Sequence, residues 1–473
     1  MTAAIDAPTL VRPSADRVVA GSHALADLLG SERVSRGADV LSQHGHDESF
    51  HPEARPDGVV WPRTIEEAAA IVRIAVEHRL PLVPFGAGTS LEGHVAALAG
   101  GISVDMREMN EIGRPSLEDL DVVVQPGVTR RALDARLRPE GVFFAVDPGA
   151  DATIGGMVAT GASGTMTVRY GAMRENVLGV TLIDGRGEVV HTHSRARKSS
   201  AGYDLTRLMV GSEGTLGLIC EVALRIHPIP PATAAAACTF PTVADAVRCM
   251  VRVTQHAIPV ARIELADELQ IEAINRYDET TFTVAPTLFL EFHGISEEDV
   301  AGQARETAGI AAEYGGGDFA LASDERERRR LWHARHRAYD AARSLVPGRA
   351  GLTTDVCVPI SALADCVEAA QADIAARNLV APIVGHVGDG NFHTCVLVDP
   401  NDSDDVARAE EFHAGLVERA LAVGGTCTGE HGVGYGKARF LLAEHGPAAV
   451  EMMRAIKQAL DPHGIFNPGK ILP

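Results

Sequence analysis

Small residues dominate one stretch of this chain, from Asp147 to Gly171, where an ordinary core would carry Leu, Ile and Phe. Without bulky side chains, the backbone there can approach a large flat group or an anion closely. Two further glycine loops, Pro84–Gly93 and Gly211–Gly217, lie in the same half of the chain. Together these loops predict a cradle for a dinucleotide, because the N–H groups of such turns bind pyrophosphate.

The first glycine loop does not match the dinucleotide fingerprint of doubly wound nucleotide-binding folds. That fingerprint requires Gly-x-Gly-x-x-Gly at a turn from a strand into a helix. Gly86 and Gly88 occupy its first two positions, but Leu91 stands at the third and no clear helical pattern follows. The sequence therefore argues against NAD bound in that fold. For any single loop, a tight turn between two strands is the alternative.

Charge and cysteine usage narrow the class of protein. The formal charge of −20 argues against nucleic acid as a main partner, because the protein's own field repels phosphate. The basic run Arg326–Arg337 alternates with acids and is interpreted as a solvated helix face. The 7 cysteines include no C-x-x-C pair, so we expect buried apolar thiols in a reducing compartment.

The sequence shows no targeting or membrane-spanning signal. Asp6, Pro8 and Pro13 interrupt the N-terminus, so no secretory leader is predicted there. No apolar run approaches the roughly 20 residues that a transmembrane helix needs. We expect a cytoplasmic protein without a transmembrane segment, and peripheral contact with the inner face of a membrane stays open.

The chain length and a cluster of prolines predict how the chain is divided into domains. Its 473 residues predict two or three domains, and Pro228, Pro230 and Pro231 mark the best boundary. We expect residues 1–232 to form one domain, with its core at about 56–232, and residues 233–425 to form a second. Two glycine-rich loops near the end suggest that residues 426–473 return to the active site.

Local signals predict individual elements. Thr64–Glu67 is a capping box that opens a helix ending at about Arg79. Asp184–Gly187 is a hairpin signal that precedes a strand over Glu188–His193. A long charged helix is expected over Ser323–Leu345.

Two histidines flank Asp389–Gly390, which is among the strongest two-residue hairpin signals. With that turn, His386 stands directly opposite His393 on one face, with Cβ atoms roughly 5 Å apart. Two imidazoles at this separation can bind one divalent ion. The alternative is a pair of histidines on a solvated hairpin face.

The loop Gly429–Gly434 brings an acidic and an imidazole side chain together between glycines. Glu430 would complete a His/His/Glu set with open positions, which is typical of a catalytic metal site. His431 would then be available as a general base, since imidazole titrates near neutral pH. Zinc, manganese and iron all suit these ligands. The alternative for this loop is a helix cap followed by a turn.

These motifs carry a family resemblance that runs from about Pro56 to the last residues. The chain resembles the flavoproteins of the vanillyl-alcohol oxidase and p-cresol methylhydroxylase (PCMH) superfamily, in its FAD-binding oxidase/transferase type 4 branch. Asp147–Gly171 and Gly211–Ile219 are most similar to FAD-dependent D-lactate dehydrogenases. The resemblance implies a two-domain α+β fold, with an FAD-binding domain and a substrate (cap) domain containing an antiparallel sheet. It implies non-covalent FAD, because no residue clearly matches the positions used for covalent attachment.

By that resemblance, the first glycine loop wraps the FAD pyrophosphate and the second stretch lines the adenosine and flavin channel. The loop at Glu213 closes over the adenine side, and the terminal Asn467–Lys470 touches the isoalloxazine ring. The implied FAD-binding residues are Pro84, Gly86, Ala87, Gly88, Thr89, Ser90, Gly93, Pro148, Gly149, Asp151, Thr153, Ile154, Gly156, Ala159, Gly161, Ser163, Gly164, Arg169, Tyr170, Gly171, Glu213, Gly214, Gly217, Ile219 and Asn467.

The same resemblance implies a substrate site. It places Arg335 against the carboxylate of a 2-hydroxy acid, and guanidinium is the usual bidentate partner of carboxylates. Tyr339 follows one turn later on the predicted helix, and Asn391 flanks the histidine hairpin, so both are candidate substrate contacts. Arg335 and His431 are the implied catalytic residues.

The implied reaction oxidises a small D-2-hydroxy acid, D-lactate first among them, with hydride transfer to FAD. An external acceptor is required, which would be a cytochrome, a quinone or an electron-transfer flavoprotein, since no haem or iron–sulfur motif is present. Glycolate and D-2-hydroxyglutarate are alternative substrates, but Thr353–Asp355 lacks the lysine common in relatives acting on the diacid. An ether-lipid synthase and a flavin-free metal-binding protein are the alternatives outside this reaction, and a homodimer stays open.

Overall fold

The computed structural model describes residues 10–192, 195–196, 198–317, 319–322 and 324–473. Asp6, Pro8, His193 and Ser323, on which predictions above depend, lie outside the described residues. The chain divides into two compact units. The first unit comprises residues 1–163, 172–228 and 430–473, and the second comprises residues 164–171 and 229–429. Within the described ranges, no helix is long and apolar enough to cross a membrane.

Helices and strands alternate through most of the chain. The helices are α1 (Ala15–Leu29), α2 (Ala38–Gln43), α3 (Ile65–His78), α4 (Arg130–Leu137), α5 (Ile154–Thr160), α6 (Thr167–Tyr170), α7 (Met173–Asn176), α8 (Leu205–Met209), α9 (Val243–Gln255), α10 (Glu268–Tyr277), α11 (Glu297–Glu313), α12 (Glu325–His336), α13 (Ala338–Ser344), α14 (Leu363–Ala376), α15 (Ser403–Ala422) and α16 (Leu441–Leu460). The strands are β1 (Val34–Ser35), β2 (Gly58–Val60), β3 (Leu82–Phe85), β4 (Ile102–Asp105), β5 (Asp121–Val124), β6 (Val142–Phe143), β7 (Val177–Ile183), β8 (Val189–His191), β9 (Leu218–Arg225), β10 (His227–Pro228), β11 (Ala232–Thr239), β12 (Val260–Ala266), β13 (Thr287–Gly294), β14 (Ala320–Ala322), β15 (Ala350–Thr353), β16 (Val356–Cys357), β17 (Ile383–Gly385) and β18 (Asn391–Val398).

The first unit contains two four-stranded sheets. One has the order β1-β2-β4-β3, in which β2, β4 and β3 run parallel and α1 and α3 pack against it. The other is antiparallel, with the order β5-β9-β7-β8. Phe466, from the C-terminal segment, is fully buried and pairs in parallel with Leu82. The C-terminal segment therefore adds to the edge of the parallel sheet, next to the strand that leads into the first glycine loop.

The predicted hairpin is confirmed, and so is the half of the capping box in which Thr64 caps α3. Thr64 Oγ1 accepts a hydrogen bond from the Glu67 N–H at 3.2 Å, and α3 ends at His78. The Glu67 carboxylate reaches back to the Arg63 N–H at 2.7 Å, one residue earlier than in a standard capping box. In the hairpin, Asp184 Oδ1 accepts from the Glu188 N–H at 2.9 Å, and Ile183 pairs with Val189.

The predicted antiparallel sheet of the second unit is confirmed, and it carries the two predicted histidines of the hairpin. Its order is β14-β11-β13-β12-β17-β18-β15, and every pairing is antiparallel. Successive residues of a strand point to opposite faces. On β12, Ile263 and Leu265 belong to one face, while Arg262 and Glu264 belong to the other. On β12 one face is thus apolar, whereas the other, called the polar face below, carries Arg262 and Glu264 next to apolar residues such as Phe289.

The helix predicted over Ser323–Leu345 is not continuous. It breaks at Arg337 into α12 and α13. Arg337 binds Asp278 and the Tyr277 hydroxyl, and the Ala338 carbonyl accepts from the Gln270 side chain at 3.0 Å. These contacts come from α10 and its C-terminal end, so helical periodicity alone did not reveal them.

Candidate active site

The first glycine loop follows β3 in the first unit and presents backbone N–H groups. Gly88 and Gly93 have φ angles of 71° and 75°, a region that favours glycine because it has no Cβ. Within the described chain, the N–H groups of Ala87, Gly88 and Thr89 donate no hydrogen bond to protein acceptors. This donor set is suited to a phosphate or pyrophosphate group.

Asp47 holds this loop in place, and sequence reasoning missed it. Its Oδ2 atom accepts hydrogen bonds from the Ser90 hydroxyl and from the His94 N–H, both at 2.9 Å. Asp47 is buried and lies 43 positions before Ser90. Nothing local to the glycine loop indicates this partner.

The second small-residue stretch contains a short helix, α5, which was not predicted from the sequence. Thr153 caps this helix, since its Oγ1 accepts from the Gly156 N–H at 3.4 Å. A Cβ on Gly86 would collide with the same hydroxyl, and a Cβ on Gly155 would lie 2.5 Å from Pro126 Cβ. Because Gly86 has no side chain, the backbone of the first loop packs directly against Thr153 at the start of α5.

The end of that stretch, Gly164–Gly171, groups with the second unit. Arg169 donates to the backbone carbonyls of Pro259 and His293, and the Tyr170 hydroxyl lies 2.8 Å from His293 Nδ1. These contacts join α6 to the polar face of the sheet. The FAD contacts expected of Gly164, Arg169, Tyr170 and Gly171 stay predictions.

Glu213, in the third glycine loop, organises the C-terminal segment of the first unit. Its carboxylate accepts hydrogen bonds from the N–H groups of Val433 at 2.6 Å and Gly434 at 2.8 Å, and lies 3.3 Å from His94 Nε2. Asn467 Nδ2 donates to the Glu213 carbonyl at 2.8 Å and to the His94 carbonyl at 3.1 Å. The structure thus brings together two predicted FAD-binding residues, Glu213 and Asn467, and adds His94.

Two basic side chains, His94 and Lys470, are buried around this cluster. Burial alone lowers the pKa of His94, but the charges of Glu213 and Asp47 outweigh burial and raise it above its ordinary value. Lys470 donates to the Ala96 carbonyl at 2.6 Å, and burial lowers the pKa of its ammonium group to about 8 despite the same acids. The Lys470 ammonium group therefore places a positive charge inside the first unit at neutral pH.

The histidine hairpin of the second unit has a different register from the predicted one. Val384 pairs with His393, and the His386 carbonyl accepts from the Asn391 N–H at 3.3 Å. Residues 387–389 form a 3₁₀ turn, and Gly390 has a φ of 81°. The predicted two-residue turn is wrong because the loop contains four residues, which moves the pairing by two positions.

A shift of two positions keeps every side chain on its face, because strand side chains alternate with period two. The His386 and His393 rings therefore still face each other diagonally, with centroids 5.5 Å apart and planes at 79°. One ring nitrogen of each lies within 4.8 Å of the other. Both side chains are buried, so the solvated-face alternative does not describe them.

Glu264 lies at the centre of the polar face, and sequence reasoning missed it. Continuing the β12–β17 register places it opposite His386, and its Oε1 atom lies 2.7 Å from His386 Nδ1. Its Oε2 atom accepts from Arg335 Nη2. The buried carboxylate thus joins one predicted metal ligand to the predicted substrate arginine.

Asp355 plays a comparable part for the second histidine. Its Oδ1 atom lies 3.4 Å from His393 Nδ1 and accepts from Asn391 Nδ2 at 2.7 Å. Its Oδ2 atom accepts from the Thr428 hydroxyl at 2.7 Å and the Gly429 N–H at 2.8 Å. Asn391, a candidate substrate contact, therefore has a structural partner in Asp355, and its substrate role stays a prediction.

Glu430 and His431 begin the C-terminal part of the first unit. Glu430 accepts a hydrogen bond from the Ser163 hydroxyl, and its Oε1 lies 3.8 Å from His431 Nε2. Gly432 follows with a φ of 80°, and a Cβ there would lie 2.8 Å from Glu213 Oε1. The loop that carries the predicted base is therefore anchored on Glu213 by close backbone approach.

Tyr339 lies on α13 and packs with Cys395 and Leu397, towards the β15 edge of the sheet. The helix break at Arg337 means that it does not share one continuous helix face with Arg335. Its substrate contact stays a prediction.

Family models match most of the chain. Residues 56–193 match the FAD binding domain, and residues 229–471 match the C-terminal domain of FAD linked oxidases. The chain belongs to the FAD-linked oxidases. The family resemblance drawn from the motifs is thereby confirmed, and so is FAD as the cofactor.

Curated relatives of this FAD-linked oxidase are similar over nearly the whole chain. It is 49% identical over 460 residues to the probable D-lactate dehydrogenase, mitochondrial, of Danio rerio, which covers 97% of this chain and 92% of the relative. It is 44% identical over 426 residues to the D-lactate dehydrogenase [cytochrome], mitochondrial, of Arabidopsis thaliana, with 90% and 75% covered.

A solved structure supports the expected fold of this FAD-linked oxidase. p-Cresol methylhydroxylase with substrate bound has a TM-score of 0.79 at 17% identity, and 98% of each chain is covered. The two-domain fold of the PCMH type is therefore confirmed.

In this FAD-linked oxidase, the first glycine loop of the first unit has the donors that the FAD pyrophosphate needs. The N–H groups of Ala87, Gly88 and Thr89, which donate to no protein acceptor in the described chain, are suited to bind a phosphate group. The collision that a Cβ on Gly86 would make with Thr153 shows why a side chain there would close the cradle. We expect these residues to hold the pyrophosphate, as the glycine pattern predicted.

Proposed function

We propose that this FAD-linked oxidase oxidises a small D-2-hydroxy acid, D-lactate first among candidates, to the 2-oxo acid with the help of a divalent metal ion. The observation that carries the proposal is the buried polar face of the second unit. There His386 and His393 present ring nitrogens within 4.8 Å of each other, and Arg335 is tied to the first of them through Glu264. The names of the curated relatives support D-lactate as the substrate.

Arg335 binds the substrate carboxylate. Its side chain is 10% exposed, and within the described chain its Nε–H has no hydrogen-bond partner. A buried guanidinium with an unused donor is costly unless a ligand completes its hydrogen bonds. A carboxylate supplies two acceptor oxygens in the geometry that guanidinium prefers.

His386 and His393 are the proposed metal ligands of the second unit, and Glu430 is the proposed third. Glu264 accepts from His386 Nδ1, and in that tautomer Nε2 is the ring nitrogen that can bind a metal ion. A divalent metal, when bound, supplies a Lewis acid that lowers the pKa of the substrate hydroxyl. Zinc, manganese and iron all suit these ligands.

His431 accepts the hydroxyl proton as the substrate is oxidised. FAD, when bound, supplies the two-electron acceptor for the hydride of the α-carbon. Loss of that proton and that hydride converts the hydroxy acid to the 2-oxo acid. We propose a cytochrome as the acceptor that reoxidises the flavin, on the strength of the Arabidopsis relative's name.

The test is anaerobic addition of D-lactate, and separately L-lactate, to the purified FAD-loaded protein while the flavin absorbance is followed. Rapid bleaching with D-lactate alone is expected. An unbleached flavin in protein with FAD and metal both bound would refute the lactate assignment. Glycolate and D-2-hydroxyglutarate would then be tested in the same way, and bleaching by neither would favour the non-redox branch.

A further inference from the structure

Glu264 is an unusual residue for the interior of a sheet. It lies in the middle of β12, on a central strand, and its side chain is 1% exposed. Removing a carboxylate from water is costly unless its charge is paired and its oxygens accept hydrogen bonds. An apolar residue would serve the fold at least as well at this position, since buried ion pairs contribute little net stability.

The two oxygens of Glu264 contact residues with different proposed roles. Oε1 lies 2.7 Å from Nδ1 of the metal ligand His386, and Oε2 accepts from Nη2 of the substrate arginine Arg335. Both partner side chains are nearly buried, at 11% and 10% exposure. Neither partner can reorient without breaking a charge-assisted hydrogen bond to the same carboxylate.

We infer that Glu264 is a positioning residue that couples the metal-binding histidine to the carboxylate-binding arginine. The inference rests on the proposed function and names a residue that the sequence motifs do not include. By accepting from Nδ1–H, Glu264 sets the tautomer in which His386 Nε2 faces a metal ion. By accepting from Arg335, it holds the guanidinium while Nε–H remains available for substrate.

The shared contact with Glu264 should couple metal binding at His386 to carboxylate binding at Arg335. A metal ion on His386 makes Nδ1–H a stronger donor to Glu264, which orders the carboxylate on which Arg335 also depends. Metal binding should therefore tighten D-lactate binding, and D-lactate should tighten metal binding by the same factor, since coupling is reciprocal. Replacement of Glu264 should weaken both sites together.

The test is the variant Glu264→Gln. Its amide oxygen still accepts from His386, but its amide nitrogen offers a donor where Arg335 needs an acceptor. Loss of a group that hydrogen-bonds to a metal ligand typically lowers metal affinity about 10- to 100-fold. Titration of Zn²⁺ into metal-stripped, FAD-loaded protein should show affinity weakened at least severalfold, and KM for D-lactate should rise about tenfold, more than kcat falls.

The matched control is Glu291→Gln on the paired strand. Glu291 is also buried, and it also contacts a histidine and an arginine, His293 at 2.8 Å and Arg262 at 3.6 Å. It stands opposite Arg262, one same-face position along from Glu264. The control should retain native Zn²⁺ affinity, which separates coupling from the loss of any buried carboxylate.

Glu264→Asp provides a second variant if the amide variant does not fold, because it keeps the charge but cannot reach both partners at once. It should weaken Zn²⁺ and D-lactate binding in the same direction. Native Zn²⁺ affinity and native KM in either folded variant would overturn the inference. If the native protein does not oxidise D-lactate, the proposed function fails, whereas the Zn²⁺ titrations still decide the role of Glu264 towards His386.

Discussion

His386 combines the features of a metal-binding histidine in a single side chain. It is buried, its Nδ1 atom is held by Glu264 at 2.7 Å, and its ring faces His393. We predict that His386→Ala lowers turnover of D-lactate by at least a hundredfold and removes bound metal, because one ligand and its ordered partner are lost. Flavin content should be unchanged, since the glycine cradle lies in the first unit.

The measurement is metal content by mass spectrometry alongside flavin absorbance and initial rates. His413→Ala is a suitable control, because His413 is a buried histidine on α15 in the same unit. Full activity in the His386 variant would refute the metal proposal. Loss of flavin in that variant would instead indicate a general folding defect.

Asp267 is a buried carboxyl group whose protonation links the stability of the fold to pH. Burial raises the pKa of this carboxyl group to about 7, although it caps α10 by accepting from the Gln270 N–H at 2.8 Å. Between its ordinary pKa and about 7, the unfolded chain loses the proton that the folded chain keeps. The contribution of Asp267 to stability is therefore full below pH 4 and declines as pH rises to 7.

We predict that Asp267→Asn is progressively more stable than the native chain as pH increases from about 4 to 8. Asparagine preserves the cap, and it removes an effect of up to a few kcal/mol, at about 1.4 kcal/mol per pKa unit. Thermal unfolding midpoints of both proteins across this pH range would test it. A difference that does not change with pH would contradict the raised pKa.

The junction between the first glycine loop and α5 depends on one missing side chain. Gly86 packs on Thr153, whose hydroxyl also caps α5. We predict that Gly86→Ala weakens FAD binding about tenfold or more, because the added methyl must displace either the loop or the cap. A tenfold loss of affinity corresponds to about 1.4 kcal/mol of binding free energy, which is within the usual cost of adding a methyl group to a well-packed site.

Flavin retained after gel filtration, together with far-ultraviolet circular dichroism, would measure this effect. Gly309→Ala is the control, because a Cβ at Gly309 on α11 meets no atom within 4 Å. It should retain native flavin content. Equal flavin loss in both variants would argue against a specific role for the Gly86 contact.

The net charge of −20 has consequences for the whole molecule. A strongly acidic protein attracts a basic acceptor over distances comparable to the Debye length, which is about 10 Å at 0.1 M salt. We predict that the second-order rate of flavin reoxidation by a positively charged cytochrome falls at least severalfold between about 10 mM and 300 mM salt.

Stopped-flow reoxidation of the reduced protein would measure that rate. Ferricyanide, a small anion, is the matched acceptor, and its rate should rise with salt because its repulsion is screened. A cytochrome rate that does not depend on salt would show that the acidic surface does not guide the acceptor.

The sequence alone determined the features that depend on neighbouring residues. The N-cap of α3, the Asp184 hairpin and the glycine turn conformations of the first loop follow from backbone chemistry within a few positions, and the motif density identified the flavoprotein family. The histidine hairpin was correct in its face but not in its register. A period-two pattern encodes the face, whereas the length of the turn was decided by the 3₁₀ conformation of residues 387–389.

Only the tertiary structure decided the partners that stabilise the candidate site. Glu264 reaches His386 across 122 positions, and Asn467 reaches Glu213 across 254 positions. Strand order brings Glu264 and His386 together, and the pairing of β12 with β17 leaves no signal in the sequence near either residue. From the sequence alone, a carboxylate in a strand is expected on the surface. Whether it is buried depends on which strands become its neighbours, and only the tertiary structure decides this.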